Sequence, residues 1–391
     1  MLTPLLLTLA LMTQTWTVDD DGPADFANLD AAILASSPGD VILVEPGTYD
    51  PTTVTHDLTI VATSGEPKPK VLHELVVDGV SDFTLSGFDL YDLRVTGCIG
   101  RVRIDDCDLL SWIDFGAYGT FVVEDSAVVV ITRTHSEPGY APMYSGSAAL
   151  RVVDSDVVVV DSRLHGPDGQ DDVISPDWGY EGISCWGDSR LTVVACDVSG
   201  GNGGWSPKGY HEPGAVAIQG GWSSTTELVV RGSWLHRIEG GYHGGGGQAP
   251  AVSVPTGSVT WSGVTMDPVP TSWPAAVPAE PFLVLGGSDG PGAERRVQAY
   301  GTVGLPFVVV FATEPLDLEL AGILGDPLLV SLGHVVTTRA TVLQGQAIPA
   351  NVALPLPTDP AFAGLALDVQ GLAVTPLGMF LTNAHQLVLQ P

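Results

Sequence analysis

Over its first two thirds the chain repeats one hydrophobic pattern. The stretch 102–109, VRIDDCDL, is apolar at its first, third and eighth positions, has turn-forming residues at its fourth and fifth, and a small or sulfur side chain at its sixth. The same string returns as FTLSGFDL (83–90), FVVEDSAV (121–128), VVVVDSRL (157–164), LTVVACDV (191–198), LVVRGSWL (228–235) and VTWSGVTM (259–266). Alternation of positions one and three is the period of a strand with one face inward. Gly, Asp or Ala at position five suits a corner in the left-handed conformation, which Gly and Asp tolerate. Position six (Phe88, Cys107, Ser126, Ser162, Cys196, Ser233, Val264) and position eight turn inward again on a second strand. One bent pair cannot bury its apolar side, but stacked copies can. The pattern predicts an all-β solenoid, a parallel β-helix.

The spacing of the copies predicts where that solenoid is elaborated. From Phe88 through Cys107 to Ser126 the column advances by 19 residues per turn, whereas the intervals to Ser162, Cys196, Ser233 and Val264 are 36, 34, 37 and 31. Four insertions account for the difference: 134–147, 165–182, 199–214 and 236–250. All follow position eight, so stacking sets them on one side. Each leads into a further strand: ALRV (149–152), GISCW (182–186), GAVAI (214–218) and PAVSV (250–254). With Leu150, Val152, Ile183, Cys185, Val216, Ile218, Val252 and Val254 inward, Arg151, Ser184, Trp186, Ala217, Gln219 and Ser253 face out as a floor beneath the loops.

Ahead of the repeats, Trp16 to Val18 reads as a first strand and Asp19, Asp20, Asp21 and Gly22 as a turn. Phe26, Leu29, Ile33 and Leu34 recur at helical spacing, and this amphipathic helix is placed to cap the open apolar end of the solenoid. The helix, then SPGDVILVEPGTYD (37–50) and LTIVA (58–62), resembles the entry into right-handed β-helix proteins of the pectate lyase-like superfamily. The resemblance covers residues 16–266. It implies a right-handed parallel β-helix with an N-terminal capping helix and a saccharide groove on one strand face and its flanking loops. It does not choose among lyases, hydrolases, epimerases and proteins of no known activity.

After Met266 the pattern changes. Residues 268–281, PVPTSWPAAVPAEP, read as a Pro-rich linker, and 282–391 as short strands between Gly and Pro turns, a small C-terminal β-sandwich. Its segment LPLPTDPAFAGLALDVQ (354–370), followed by LTN, is similar to C-terminal domains of exported planctomycete-type bacterial proteins. Residues 1–15 have an apolar core from Leu5 to Met12 and small residues at Thr13 and Thr15, the pattern of a secretory signal peptide. The domain reading is therefore 1–15 signal peptide, 16–267 β-helix, 268–281 linker and 282–391 sandwich, in a secreted or cell-surface protein without a transmembrane segment.

Composition narrows the partners. With 45 Asp and Glu against 15 Lys and Arg, the net charge is −30, which argues against nucleic acid and anionic membranes. Four cysteines form two local pairs, Cys98 with Cys107 and Cys185 with Cys196. In an exported chain they read as two disulfides, with four buried thiols as the alternative.

The insertions collect five of the nine Tyr (Tyr140, Tyr144, Tyr180, Tyr210, Tyr242), Trp178, Trp205 and five His. Aromatics, carboxylates and His on loops above a rigid scaffold mark a binding surface. Trp178, Tyr180, Trp186, Trp205, Lys208, Tyr210, Tyr242 and His243 are the candidate substrate-binding residues. For glycoside hydrolysis two carboxylates must flank the bond, and Asp171 or Asp172 with Glu181 or Glu212 form the candidate pairs. For a lyase, Arg151, Lys208 or His211 supplies the base, and Asp171 with Asp172 could hold calcium, the one cofactor considered. GQDDV (169–173) and YHGGGG (242–247) resemble the Asp-Asp and Gly-His-Gly segments of polygalacturonases, whose Asn-Thr-Asp and Arg-Ile-Lys motifs are missing. Two functions stay open. The preferred one is a non-catalytic protein presenting a groove for polysaccharide or cell-surface glycan; the alternative is a polysaccharide lyase or glycoside hydrolase.

Overall fold

The computed structural model describes residues 13–63, 67–110, 121–137, 148–169, 178–204, 214–221, 225–237, 251–254, 258–262, 264–267, 282–287, 294–300, 304–313, 315–318, 324–325, 328–330, 335–343, 350–355, 366–375 and 378–388. Up to Asp267 the pairing between strands is parallel throughout, and the strands wind around one apolar core as a right-handed parallel β-helix. Its cross-section has three faces. Face A is a sheet of ten strands: Thr15–Val18, Val41–Val44, Leu58–Ala62, Asp82–Ser86, Arg101–Asp105, Val128–Thr132, Asp156–Val160, Arg190–Val194, Glu227–Arg231 and Ser258–Ser262. Face B stacks Asp108–Leu110, His135–Glu137, Arg163–His165, Asp197–Gly200, Trp234–Arg237 and Thr265–Asp267. Face C stacks Phe121–Glu124, Leu150–Val153, Ile183–Trp186, Ile218–Gly220 and Val252–Ser253. Faces B and C belong to one sheet, because the long strands Lys70–Asp78 and Asp89–Thr96 run through both.

The two corners that flank face A are built alike. At the corner into face B, Gly87, Asp106, Arg133, Asp161, Ala195 and Gly232 all have φ between 46° and 85°, and Gly79, Gly97, Asp125, Asp154 and Gly187 have φ between 46° and 67° on the other side. The next small side chain then turns inward. Thr134, Ser162 and Ser233 donate through their hydroxyls to the carbonyls of Thr132, Val160 and Arg231, two residues back. Ser162 and Ser233 also accept the backbone N–H groups of Thr134 and Cys196 in the preceding turn. A second ladder at the other corner links the Cys98, Ser126 and Ser155 N–H groups to the Oγ atoms of Ser126, Ser155 and Ser189. These hydroxyls satisfy backbone groups that the bend has taken out of the sheet, at a depth no water reaches.

This pairing corrects one copy of the repeat. Residues 129–136, not 121–128, stand in register with 102–109, since Val129 pairs with Val102 and Ile131 with Ile104. The inward column is Phe88, Cys107, Thr134, Ser162, Cys196, Ser233 and Val264, with intervals of 19, 27, 28, 34, 37 and 31. Turns therefore lengthen from Cys107 onward, and 111–120 is a further insertion between faces B and C. Ser126 belongs to the opposite corner.

The expected disulfides are also corrected, because all four cysteines are free and buried. Cys98 precedes the whole strand Arg101–Asp105 and Cys107 follows it, while Arg190–Val194 lies between Cys185 and Cys196. Five extended residues separate each pair by roughly 16 Å, against a limit near 7 Å between bridged Cα atoms. The Cys107 thiol donates to the Asp105 carbonyl and the Cys196 thiol to that of Val194, so both take the hydroxyls' place in the ladder. Burial pushes the thiols of Cys107, Cys185 and Cys196 up to about 12.

The cap is the helix Leu29–Ala35, whose first turn is closed by Asn28 accepting from the Ala31 N–H at 2.8 Å. Leu29, Ala32 and Ile33 face the core; Leu34, expected to join them, is 78% exposed. Phe26 lies ahead of the helix, bridged to Val18 and edge-on to Trp16 at 5.3 Å. From Phe282 onward the sheets are separate, and all their pairings but one are antiparallel. A three-stranded and a five-stranded sheet share a second core that contains Leu283, Val297, Phe307, Phe311 and Val369, which makes a β-sandwich.

Candidate functional site

The long insertions enter between faces B and C, so the loop roots stand beside face C, and a shorter one, 221–226, lengthens the link from face C to face A. Register places Val122, Arg151, Ser184, Gln219 and Ser253 in one outward column, about 19 Å long at the spacing of neighbouring strands. Leu150, Val152, Ile183, Cys185, Ile218 and Val252 point into the core, as alternation predicts. Ala217, expected in the outward floor, is instead buried. It lies ahead of the strand Ile218–Gly220, at the root of the loop, where its N–H donates to the Ala251 carbonyl.

Beside this column stands Trp186, in register with Val153. A Cβ on Gly221 would come within 2.6 Å of its Cε3 and 3.1 Å of its Cζ3. The benzo ring therefore rests on the Gly221 backbone, and the side chain stays 42% exposed. One strand away is the exposed guanidinium of Arg151, which has no ion-pair partner among the described residues. Arg94, two strands along the same column, differs, at 3.0 Å from Glu74 and 3.9 Å from Glu124. An exposed cation on the strand next to a half-open indole, on a chain of net charge −30, is a local reversal of the molecule's field.

The loop roots are woven together by backbone hydrogen bonds. Tyr180 donates to the Pro167 carbonyl at 2.9 Å, and Gly201 donates to that of Tyr180 at 2.8 Å. A Cβ at Gly201 would lie 1.9 Å from the Pro167 oxygen, so only glycine allows this approach. The Gly169 N–H reaches the Asn202 carbonyl, and Asp168 accepts from the Asn202 N–H at 2.6 Å. These contacts hold Trp178, 65% exposed, at the loop edge of face C. Glu181 follows, and its burial raises its carboxyl above the usual range. On face B, His165 and His236 share a column, as the sequence predicts, with Ser199 between them; His165 Nδ1 and Ser199 Oγ are 2.5 Å apart.

Of the residues nominated from sequence, Arg151, Trp178, Tyr180, Glu181 and Trp186 are described. Asp171, Asp172, His211, Glu212, Trp205, Lys208, Tyr210, Tyr242 and His243 lie outside the described residues. Gly221 was not nominated. The signal was its register opposite Trp186, which a string of glycines and small residues conceals. Among the described residues the carboxylates that converge are Asp19, Asp20 and Asp21, far from face C at the first turn, where Asp20 accepts from the Thr48 N–H.

Fold and surface together define a β-helix with one built-up corner. No protein-family model and no curated protein matches the chain. Among solved structures it is similar to full-length tailspike protein 2 of the Escherichia coli O157:H7 bacteriophage CAB120, with 10% identity and a TM-score of 0.30 over 90% of this chain and 51% of that one. The enzymatically active domain of tailspike protein 2 from bacteriophage CBA120 gives 8% and 0.29 over 93% and 68%. The chain thus spans about half the length of the full-length protein. Similarity of this degree carries no argument about what this chain binds.

Proposed function

We propose that this protein is an exported, non-catalytic glycan-binding β-helix, with face C and its loops as the binding surface. The observation that carries the reading is the half-exposed Trp186 indole seated on Gly221, on the same face as the exposed Arg151 of the neighbouring strand. A sugar ring offers an apolar C–H face to an aromatic ring and hydroxyls to polar neighbours, which Gln219 and Ser253 line up along the strand stack. The apolar stretch Leu5 to Met12 supports export, and the acidic surface suits a solvated extracellular setting.

Affinity electrophoresis through gels containing polysaccharides tests the reading. The wild type is retarded by at least one of them, and Trp186→Ala runs as in an empty gel. Equal mobility of the two proteins in every gel would sink it. A second reading, hydrolysis or elimination, has one observation in its favour: burial raises the Glu181 carboxyl above the usual range, the direction a general acid needs. New reducing ends or unsaturated uronates, lost in Glu181→Gln, would select it.

A further inference from the structure

The three faces differ in what they offer a ligand. On face A the outward Arg103, Val160 and Val194 are buried, and face B carries ion pairs between Asp108 and His135 and between Arg163 and Asp197. Face C is open at Trp186, and the charges around that indole govern which glycans can lie on it. They are unevenly arranged. Along the corner side of Trp186 runs a row of exposed carboxylates. Asp125 and Asp154 are the corner residues of successive turns, and Asp188 follows Gly187, which takes the corner in the next. The Asp154 N–H donates to the Trp186 carbonyl at 3.2 Å. A Cβ on Gly187 would come within 2.0 Å of Asp154 Oδ1, so this carboxylate lies against the residue that follows the indole.

The partners of these carboxylates are neutral. Asp154 Oδ1 accepts from the Asp188 N–H at 2.8 Å, and Asp188 accepts from the Thr225 hydroxyl. Arg190, two residues beyond Asp188, lies on face A and reaches Glu227 at 3.7 Å. On the cationic side Arg94 is held between Glu74 and Glu124, which leaves Arg151 as the one arginine of face C without an ion pair among the described residues. A polyanionic glycan repeats its carboxylate or sulfate along the chain, and Arg151 can meet one of them. The others fall over the Asp row. Its members step by about 4.8 Å per turn, and Asp154 and Asp188 stand within about 8 Å of the indole, the screening length at physiological salt. Like charges meeting there, on a molecule of net charge −30, weaken binding and slow encounter. An uncharged chain lays its C–H face on Trp186 and its hydroxyl oxygens toward Arg151 without that repulsion.

We propose, building on the reading of Trp186 as a glycan platform, that face C selects uncharged polysaccharides and rejects polyanionic ones through the row Asp125, Asp154 and Asp188. The test is affinity electrophoresis of the full chain against neutral polysaccharides, β-glucan and mannan among them, and two acidic ones, polygalacturonate and alginate. A neutral member that retards the wild type but not Trp186→Ala is then made into hydroxyethyl and carboxymethyl derivatives of equal substitution, matched in bulk and different in charge. The carboxymethyl form is expected to bind about tenfold more weakly than the hydroxyethyl form in about 0.01 M sodium chloride, and the gap to narrow in about 0.5 M. It should also close in a chain carrying Asp125→Asn, Asp154→Asn and Asp188→Asn. Asn keeps an accepting oxygen and tolerates the left-handed corner, and circular dichroism verifies that this variant is folded. Retardation by polygalacturonate or alginate at or above that by every neutral member, or equal binding of the two derivatives, overturns the selection and leaves the platform standing. An unchanged gap in the Asn variant overturns the Asp row as its cause. Retardation by no member of the panel sinks the platform reading and the selection with it.

Discussion

At the scale of single residues, the corners decide the fold, and each makes a separate demand. The corner residue must take positive φ. Ala195 does so at 52° with a Cβ that disfavours it, so Ala195→Gly is expected to stabilise the protein by about 0.5–1 kcal/mol in urea unfolding, whereas Gly232→Ala one turn later should cost a similar amount. The next residue must be small and able to hydrogen-bond. Ser155→Ala removes the acceptor of the buried Ser126 N–H and should cost about 1–3 kcal/mol, although the volume lost is small. A charged cluster sits just outside this frame. Burial works against charge at Lys68, but its hydrogen bond to Asp108 and the charges of Asp106 and Asp108 lift it to about 12. Burial likewise opposes ionisation of Asp108, yet His135 at 3.2 Å and Lys68 at 2.8 Å hold it below the usual range, and the Asp108 hydrogen bond raises His135. The His135 contribution is complete below its unfolded value of 6.5 and is lost as pH rises through the higher folded value. That of Asp108 is complete above 3.8 and is lost as pH falls through the lower folded value. Thermal melts of wild type and His135→Gln should therefore differ most between about pH 4 and 6.5 and converge by about pH 9.

At the scale of elements, the stack turns separate strand ends into one surface. Gly221 and Trp186 belong to successive turns, and the platform exists only because the glycine leaves room. Gly221→Ala is expected to lose polysaccharide retardation as fully as Trp186→Ala while its melting temperature stays within a few degrees of wild type; retained binding would show that the indole's seat is irrelevant. Stacking also explains what could be read from sequence. The repeat was legible because a β-helix asks the same of each turn: two apolar positions, a left-handed corner, an inward small residue. The error at Ser126 has the same origin. Both corners of face A make that demand, so FVVEDSAV satisfies the pattern while lying one face away. Local spacing likewise brought Cys98 near Cys107 in sequence and hid the strand that separates them. The floor of face C was read correctly at Arg151 and Trp186, where strand alternation governs, and wrongly at Ala217, where a loop root does. The loop residues Asp171, Asp172 and His211 obey no period, and pattern reasoning could nominate them only by chemical type.

At the scale of the whole molecule, a charge of −30 repels itself, and the compact state carries that cost. Raising sodium chloride from about 0.01 to about 0.5 M should increase the melting temperature, since screening acts on the global repulsion more than on the buried Arg133–Asp105 pair. The cross-section also gives the three faces different fates: one covered, one charged, one open beside its loops. Turn length varies from 19 to 37 residues, and most of the added residues leave and re-enter at the same corner, while the left-handed bends and hydroxyl ladders fix where the strands on either side must sit. Each turn thus works as a slot in a rack. Its contents can be exchanged or lengthened without shifting the slots above and below, so specificity in such a protein can drift one loop at a time while the frame stays constant.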